Sequence, residues 1–310
     1  MTNSTRPCAV ALGAFDGIHL GHRALIAENQ RVAALRGYET AVYTFANHPL
    51  SVLRPQGAPP LLLEAGERET LFKGLGVNQV IQVPFDRNLA AQSPETFMET
   101  LARALRLGHV TVGYNFHFGC QGRGDGALLT ELGRRMGFTV SIVPRVDWRG
   151  EPVSATAIRR LLAQGDVARA NAMLGRDYRI GGIIVQGRRI GHELGFPTAN
   201  LLPPPGRALP ADGVYVASVQ VAGRWYGAVT NVGTNPTVSE RGHRTVESHL
   251  LGFQGDLYGL NCQVAFRDRI RGEKRFSSRE DLMEQIARDT QRARDFFTKN
   301  HLHPEDSVLK

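Results

Sequence analysis

Over roughly the first 175 residues, short apolar runs alternate with stretches whose apolar positions recur at helical spacing. Cys8–Leu12 predicts a strand, and residues 22–36 predict a helix closed by Gly37, a residue that accepts the left-handed cap conformation. Residues 40–45 predict a second strand. The alternation runs on through a strand at 79–84, a helix at 94–105 behind Ser93 as N-cap, a strand at 109–112, a helix at 125–136 and a strand at Thr139–Val143. Strands separated by helices demand right-handed crossovers, and so a parallel sheet covered on both faces. Two short helices, 155–163 and Val167–Leu174, then lead into β-rich sequence. Its short strands, broken by glycine, are expected at Tyr178–Val185, 214–221, 225–230, 246–251 and 263–266, with a last helix at 279–297. The expectation is an α/β domain over residues 1–176 and a small β-barrel with a C-terminal helix over 177–310. The loop Leu202-Pro-Pro-Pro-Gly206 falls inside the barrel, not between domains.

A chain of 310 residues with 42% hydrophobic content can bury two cores of ordinary size. Residues 1–8 are polar, and no apolar run approaches the roughly 20 residues of a bilayer span, so neither export signal nor membrane anchor is expected. Cys8, Cys120 and Cys262 share no paired spacing; this speaks against a disulfide framework or zinc site and for a reducing, cytoplasmic setting. A formal charge of +8 attracts polyanions, nucleic acid and nucleotide phosphates alike. The Lys and Arg residues are dispersed, however, and the densest cluster, 267–275, is interrupted by acids, as on a solvated basic surface. Small molecules are the expected partners, with no nucleic acid and no membrane.

Leu12-Gly-Ala-Phe-Asp-Gly-Ile-His-Leu-Gly-His22 ends a strand and opens a helix, where unpaired N–H groups and a partial positive charge face an anion. His19 and His22, three apart, can add hydrogen-bond donors where charge grows at the α-phosphate of ATP. Attack there with loss of pyrophosphate needs in-line positioning and charge neutralisation, not a covalent enzyme group. No Gly-x-x-x-x-Gly-Lys-Ser/Thr loop and no Gly-x-Gly-x-x-Gly follows a strand, which removes support for the common P-loop and dinucleotide folds. Val153-Ser-Ala-Thr-Ala-Ile-Arg159 marks another helix start, where Ser154 or Thr156 can cap and Arg159 can reach a phosphate. Val112-Gly-Tyr-Asn-Phe-His-Phe-Gly119 either is a strand end packing two phenylalanines or places Asn115 in the crevice beyond it, where ligands of parallel sheets collect.

A second phosphate pattern lies in the β-rich half. Gly187, Gly191 and Gly195 are spaced four apart, so backbone amides there can close on a phosphate chain. Thr198 and Asn200 follow with oxygen ligands of the kind Mg²⁺ prefers. Ordinary turns explain those glycines equally well. Glu247, in a strand of mainly apolar neighbours, either caps a polar network or serves as a general base on a hydroxyl.

Taken together the motifs resemble the prokaryotic bifunctional riboflavin kinase/FAD synthetase family. They are Gly13-Ala-Phe-Asp-Gly-Ile-His-Leu-Gly-His22, Tyr43-Thr-Phe-Ala-Asn-His-Pro49, Val112 to Gly119, Ser154-Ala-Thr-Ala-Ile-Arg159, Gly195-Phe-Pro-Thr-Ala-Asn200 and Asp256-Leu-Tyr-Gly259. The resemblance, which spans residues 13–297, implies a Rossmann-like nucleotidyltransferase domain first and a riboflavin kinase barrel second. It implies that ATP phosphorylates riboflavin to FMN and then adenylylates FMN to FAD. Gly13, Phe15, Asp16, His19, Gly21, His22, Asn115, Ser154, Thr156 and Arg159 would then hold the ATP that adenylylates FMN, with His19 and His22 catalytic. Gly187, Gly191 and Gly195 would line the kinase phosphates, Thr198 and Asn200 would bind Mg²⁺ and phosphate, and Glu247 would deprotonate the ribityl 5′-hydroxyl. Asn47 and His48, beside the adenylylation crevice, are candidates for flavin contact. Ala155 stands where the family usually has Ser, His117 and Cys120 replace common Arg and Lys, and Gly252 replaces a frequent Asp. Two other readings stand at this point: a riboflavin kinase whose first domain has lost adenylylation, and a nucleic-acid-binding flavin sensor.

Overall fold

The computed structural model describes residues 6–185, 198–234, 244–255 and 257–304. Contact density divides the chain into two compact units, 1–155 and 156–310.

In the first unit, strands β1 (Cys8–Leu12), β2 (Glu39–Phe45), β3 (Gln79–Val83), β4 (Leu107–Gly113) and β5 (Thr139–Val143) form a parallel sheet in the order β3-β2-β1-β4-β5. Its helices are α1 (Leu20–Arg36), α2 (Leu50–Leu53), α3 (Ala65–Gly74), α4 (Arg87–Ala91), α5 (Pro94–Ala104) and α6 (Gly126–Met136). The expected stops hold: Gly37 takes φ 68 after α1, and Gly137 takes φ 83 after α6. Ser93 and Asp125 cap α5 and α6 by accepting the Thr96 and Leu128 amides.

Every residue of β1 is buried, because the sheet has a core on each face. Val10 and Leu12 join Met98, Leu101, Leu129 and Leu132 of α5 and α6. Ala11 joins Leu25, Ile26 and Phe72 of α1 and α3 on the other side. The two short helices α2 and α4 and the helix α3 fall within residues 46–78 and 85–92, where the sequence pattern predicts no element. A hairpin, β6 (Asp147–Trp148) and β7 (Glu151–Pro152), closes the unit.

The second unit opens with α7 (Ala155–Gln164) and α8 (Val167–Leu174), followed by a closed barrel and α9 (Arg279–Lys299). The barrel strands are β8 (Tyr178–Val185), β9 (Thr198–Leu201), β10 (Gly213–Val221), β11 (Arg224–Thr234), β12 (Arg244–Leu250) and β13 (Asn261–Arg271), ordered β10-β11-β12-β9-β8-β13. α7 and α8 pack with the barrel: Asn171 donates to the Phe266 carbonyl and accepts from the Tyr178 amide, and the Ala211 amide donates to Leu162. Ala293 and Phe297 seat α9 on Val214 and Val216. β9 occupies a segment read in the sequence only as phosphate-binding side chains. The described residues include no helix long and apolar enough to cross a membrane.

Candidate functional site

The connection from β1 to α1 is built tightly. Phe15 (φ 48), Gly17 (φ 91) and Ile18 (φ 41) all take left-handed backbone, so the chain doubles back within seven residues. His19 is the N-cap of α1, and its Nδ1 accepts the His22 amide at 3.4 Å. Accepting at Nδ1 puts the neutral ring's proton on Nε2, where it remains a donor. The two imidazoles stack, centroids 3.7 Å apart and 15° from parallel. Gly21 lets the His19 ring lie close, because a Cβ there would stand 3.2 Å from it and the ring would have to shift. The carbonyl of Val153 lies on the same side of Gly21, which brings the stretch ahead of Ser154 to the start of α1.

Gly13, His22 and Asn115 line one cavity of about 910 Å³. The rest of its wall is mostly aromatic and aliphatic, with Phe45, Phe85, Phe97 and Phe116 prominent. Phe45 and Phe85 meet edge to face at 5.0 Å, and Phe116 stacks on Phe118 at 5.5 Å. Sequence reasoning read Phe116 and Phe118 only as strand-end packing and gave no role to Phe45 or Phe85. The signal was positional: Phe45 ends β2, Phe85 follows β3 and Phe116 follows β4, so one ring stands at each carboxyl edge.

Other expected residues have different surroundings. Phe15 is fully buried against Phe72, and Asp16 accepts the amides of Leu62 and Leu63 (3.0 and 3.3 Å to Oδ1), so both act from beneath the turn and neither lines the cavity. Asn47 clasps the backbone of Phe85 in both directions, at 2.8 and 3.0 Å, and His48 Nδ1 accepts the Leu50 amide. These two polar side chains thus brace the aromatic edge, and the cavity wall is formed by their neighbours Phe45 and Pro49. His117 and Cys120 both reach the cavity, and Cys120 is a free thiol. Thr156 and Arg159 lie on α7, in the second unit.

In the barrel, register assembles the second set. Glu247 on β12 stands directly across from Asn200 on β9, and across from Asn231 on β11. Thr198, two residues before Asn200 on the same face, donates its hydroxyl to Glu247 Oε1 at 3.0 Å. The alternating residues Ala199, Leu201, Val246, Ser248, Thr230 and Val232 are buried, so this polar group faces away from the barrel interior. Asn231 was missed because only cross-strand pairing reveals it. Gly187, Gly191 and Gly195 lie outside the described residues. Gly252 takes φ 73 in the turn after β12, a conformation glycine accepts without strain. The described residues hold no group of three His, Cys, Asp or Glu able to bind a metal. Thr198, Asn200 and Glu247 nonetheless form an all-oxygen donor set with one carboxylate, which suits Mg²⁺ shared with phosphates.

A family model described as FAD synthetase matches residues 1–157, and one described as riboflavin kinase matches residues 174–297. The bifunctional riboflavin kinase/FMN adenylyltransferase of Pseudomonas fluorescens is 37% identical over 290 residues, 93% of each chain. The Escherichia coli K12 protein of the same name is also 37% identical, over 94% of this chain and 93% of its own. That of Bacillus subtilis is 33% identical over 93% of this chain and 92% of its own. A solved structure from Streptococcus pneumoniae, described as a macrolide-efflux protein, is similar with a TM-score of 0.87 and 30% identity, covering 94% of this chain and 95% of that one.

Proposed function

The chain belongs to the bifunctional riboflavin kinase/FMN adenylyltransferase family, and from that premise we propose how its residues divide the two reactions. The parallel-sheet unit adenylylates FMN, and the barrel unit phosphorylates riboflavin. One observation carries the reading: Gly13 and His22 of the first turn and Asn115 beyond β4 converge on a single cavity whose wall is otherwise mostly aromatic and aliphatic.

In that cavity the start of α1 receives the phosphates of ATP, with backbone amides and the helix field balancing their charge. The His22 ring, which lines the cavity with the His19 ring stacked behind it, stabilises charge developing at the α-phosphate while the phosphate of FMN attacks and pyrophosphate leaves. The isoalloxazine lies among Phe45, Phe85 and Phe116, each ring contact contributing about 0.5–1.5 kcal/mol beyond area burial.

In the barrel, Glu247 takes the proton of the riboflavin 5′-hydroxyl as that oxygen attacks the γ-phosphate of ATP. Thr198, donating to Glu247, holds the carboxylate in place, and Asn200 and Asn231 flank it. Thr198 and Asn200 would hold Mg²⁺, which when bound neutralises phosphate charge. A cytoplasmic, reducing setting belongs to the same reading. It is supported by free cysteines, two of them buried, with burial pushing Cys8 up to about 12 and Cys262 up to about 11.

The test is product analysis with riboflavin, ATP and Mg²⁺. His22→Ala should make FMN normally and lower FAD formation by roughly 10²–10³-fold. Glu247→Ala should lose FMN formation by about 10²–10⁴-fold yet still convert supplied FMN to FAD. Equal loss of both activities from either substitution would contradict separate sites, and FMN without FAD from the unaltered chain would contradict adenylylation.

A further inference from the structure

Residues 13–19 make a turn that the chain does not favour by itself. Phe15 and Ile18 are non-glycine residues in the left-handed region, and Ile18 is β-branched, the type least suited to it. Such backbone persists only where the surroundings over-determine it.

The restraints come largely from one place. Asp16 takes the Leu62 and Leu63 amides just ahead of α3. Phe72 on α3 packs edge-on against Phe15 at 5.3 Å. Arg68, four residues before Phe72 and so on the same helical face, is only 3% exposed. Its guanidinium donates to the Ala14 carbonyl at 3.3 Å and to the Ala46 carbonyl at 2.7 Å, tying the turn to the end of β2. Thr44 donates to the same Ala14 oxygen at 3.0 Å. Among the described residues no carboxylate forms an ion pair with Arg68, so a cationic group bonded to two carbonyls lies directly behind the phosphate turn. Burial draws its pKa down, against the pull of Asp16 and Glu64.

We infer that Arg68 is a positioning residue for adenylyl transfer: through Ala14 it sets the shape of the turn that holds ATP, and it brings its charge to the rear of that turn. The inference rests on the assignment of the β1–α1 turn to ATP. Small displacements of reacting groups cost rates on the order of 10²-fold, so a side chain that never touches substrate can govern the step.

Arg68→Met in the full chain should raise the KM for ATP in FAD formation about tenfold and lower kcat about tenfold, with FMN formation unchanged. Arg68→Lys, which keeps the charge and one donor toward Ala14, should recover most of that loss. A structural role alone would lower kcat at unchanged KM, in step with the folded fraction seen by near-ultraviolet circular dichroism; that outcome overturns the inference, as do wild-type kinetics. Should Arg68→Met fail to fold, Thr44→Val decides, because it removes the other donor to the same oxygen: a rise in the ATP KM supports positioning and an unchanged KM overturns it. Normal FAD formation by His22→Ala would instead remove the assignment of the turn itself. Loss in His22→Ala beside normal kinetics in Arg68→Met would remove only the inference.

Discussion

His109 shows how a single buried residue makes the first unit sensitive to pH. It is 2% exposed, and its ring joins a directed chain of hydrogen bonds behind the sheet. Asn29 Nδ2 donates to the Ala9 carbonyl, and the Thr111 hydroxyl donates to Asn29 Oδ1. Thr111 has then spent its hydrogen, so His109 Nε2–H donates to Thr111 at 3.1 Å, while His109 Nδ1 lies 2.8 Å from the Thr139 hydroxyl, which also reaches the Gly108 carbonyl at 3.5 Å. The ring has these hydroxyls around it and almost no water to solvate a charge. Burial accordingly lowers the His109 pKa to about 4. The unfolded chain, with an ordinary imidazole near 6.5, takes up a proton that the folded chain refuses. The stability His109 contributes is therefore complete above pH 6.5 and falls by up to about 3 kcal/mol as pH drops to 4. Urea midpoints measured across that range should fall more steeply for the native chain than for His109→Gln; parallel curves would refute the link. At this scale the sequence revealed what residue type announces. The glycines and histidines of the first turn were legible, but Arg68 was not, because its partners are two backbone carbonyls that only the fold brings to it. Asn231 was hidden for a related reason, since β-register decides what it faces.

Among the elements, those with strong periodicity or clear end signals, such as Gly37 after α1, were readable from the chain alone. β1, β5, α8 and β8 have the bounds expected, and α1, α5 and α6 differ by one or two residues. α3 was not readable. Its sequence, Ala-Gly-Glu-Arg-Glu-Thr-Leu-Phe-Lys-Gly, carries little apolar pattern, and only Arg68 and Phe72 are buried. A reciprocal cap between Glu64 and Glu67 starts it, and tertiary contact does the rest. Because Phe72 is the one fully buried large apolar side chain of α3, Phe72→Ala should destabilise the first unit by about 3–5 kcal/mol. Heating the variant and assaying each product separately should show adenylylation lost at lower temperature and phosphorylation retained. Loss of both at one temperature would contradict the claim. β9 was obscured differently: Thr198 and Asn200 were read as ligands, and the same alternation that puts both on one face places Ala199 and Leu201 in the barrel wall.

For the molecule as a whole, the consequence of the proposed assignment is that the two half-reactions share an intermediate but no described side chain. The cavity proposed for adenylylation is lined entirely by residues of the first unit, and Thr198, Asn200, Asn231 and Glu247, proposed for phosphorylation, all belong to the second. FMN is thus the product of one set of groups and the substrate of another. If it passes between them through solution, two crippled chains should repair each other. His22→Ala should turn riboflavin into FMN and stop; Glu247→Ala should use FMN but not make it. Mixed with riboflavin, ATP and Mg²⁺, they should form FAD after a lag. The lag should shorten as either protein is raised, because the intermediate must first accumulate to near the KM of the second step. An excess of an FMN-binding protein should lengthen it further. No FAD from a mixture in which each variant retains its own half-reaction would mean that FMN never leaves the chain that makes it. The unaltered chain supplies the complementary measurement: with riboflavin as substrate, FMN should rise first and FAD follow, and an FMN trap should suppress FAD in proportion to the fraction that is released.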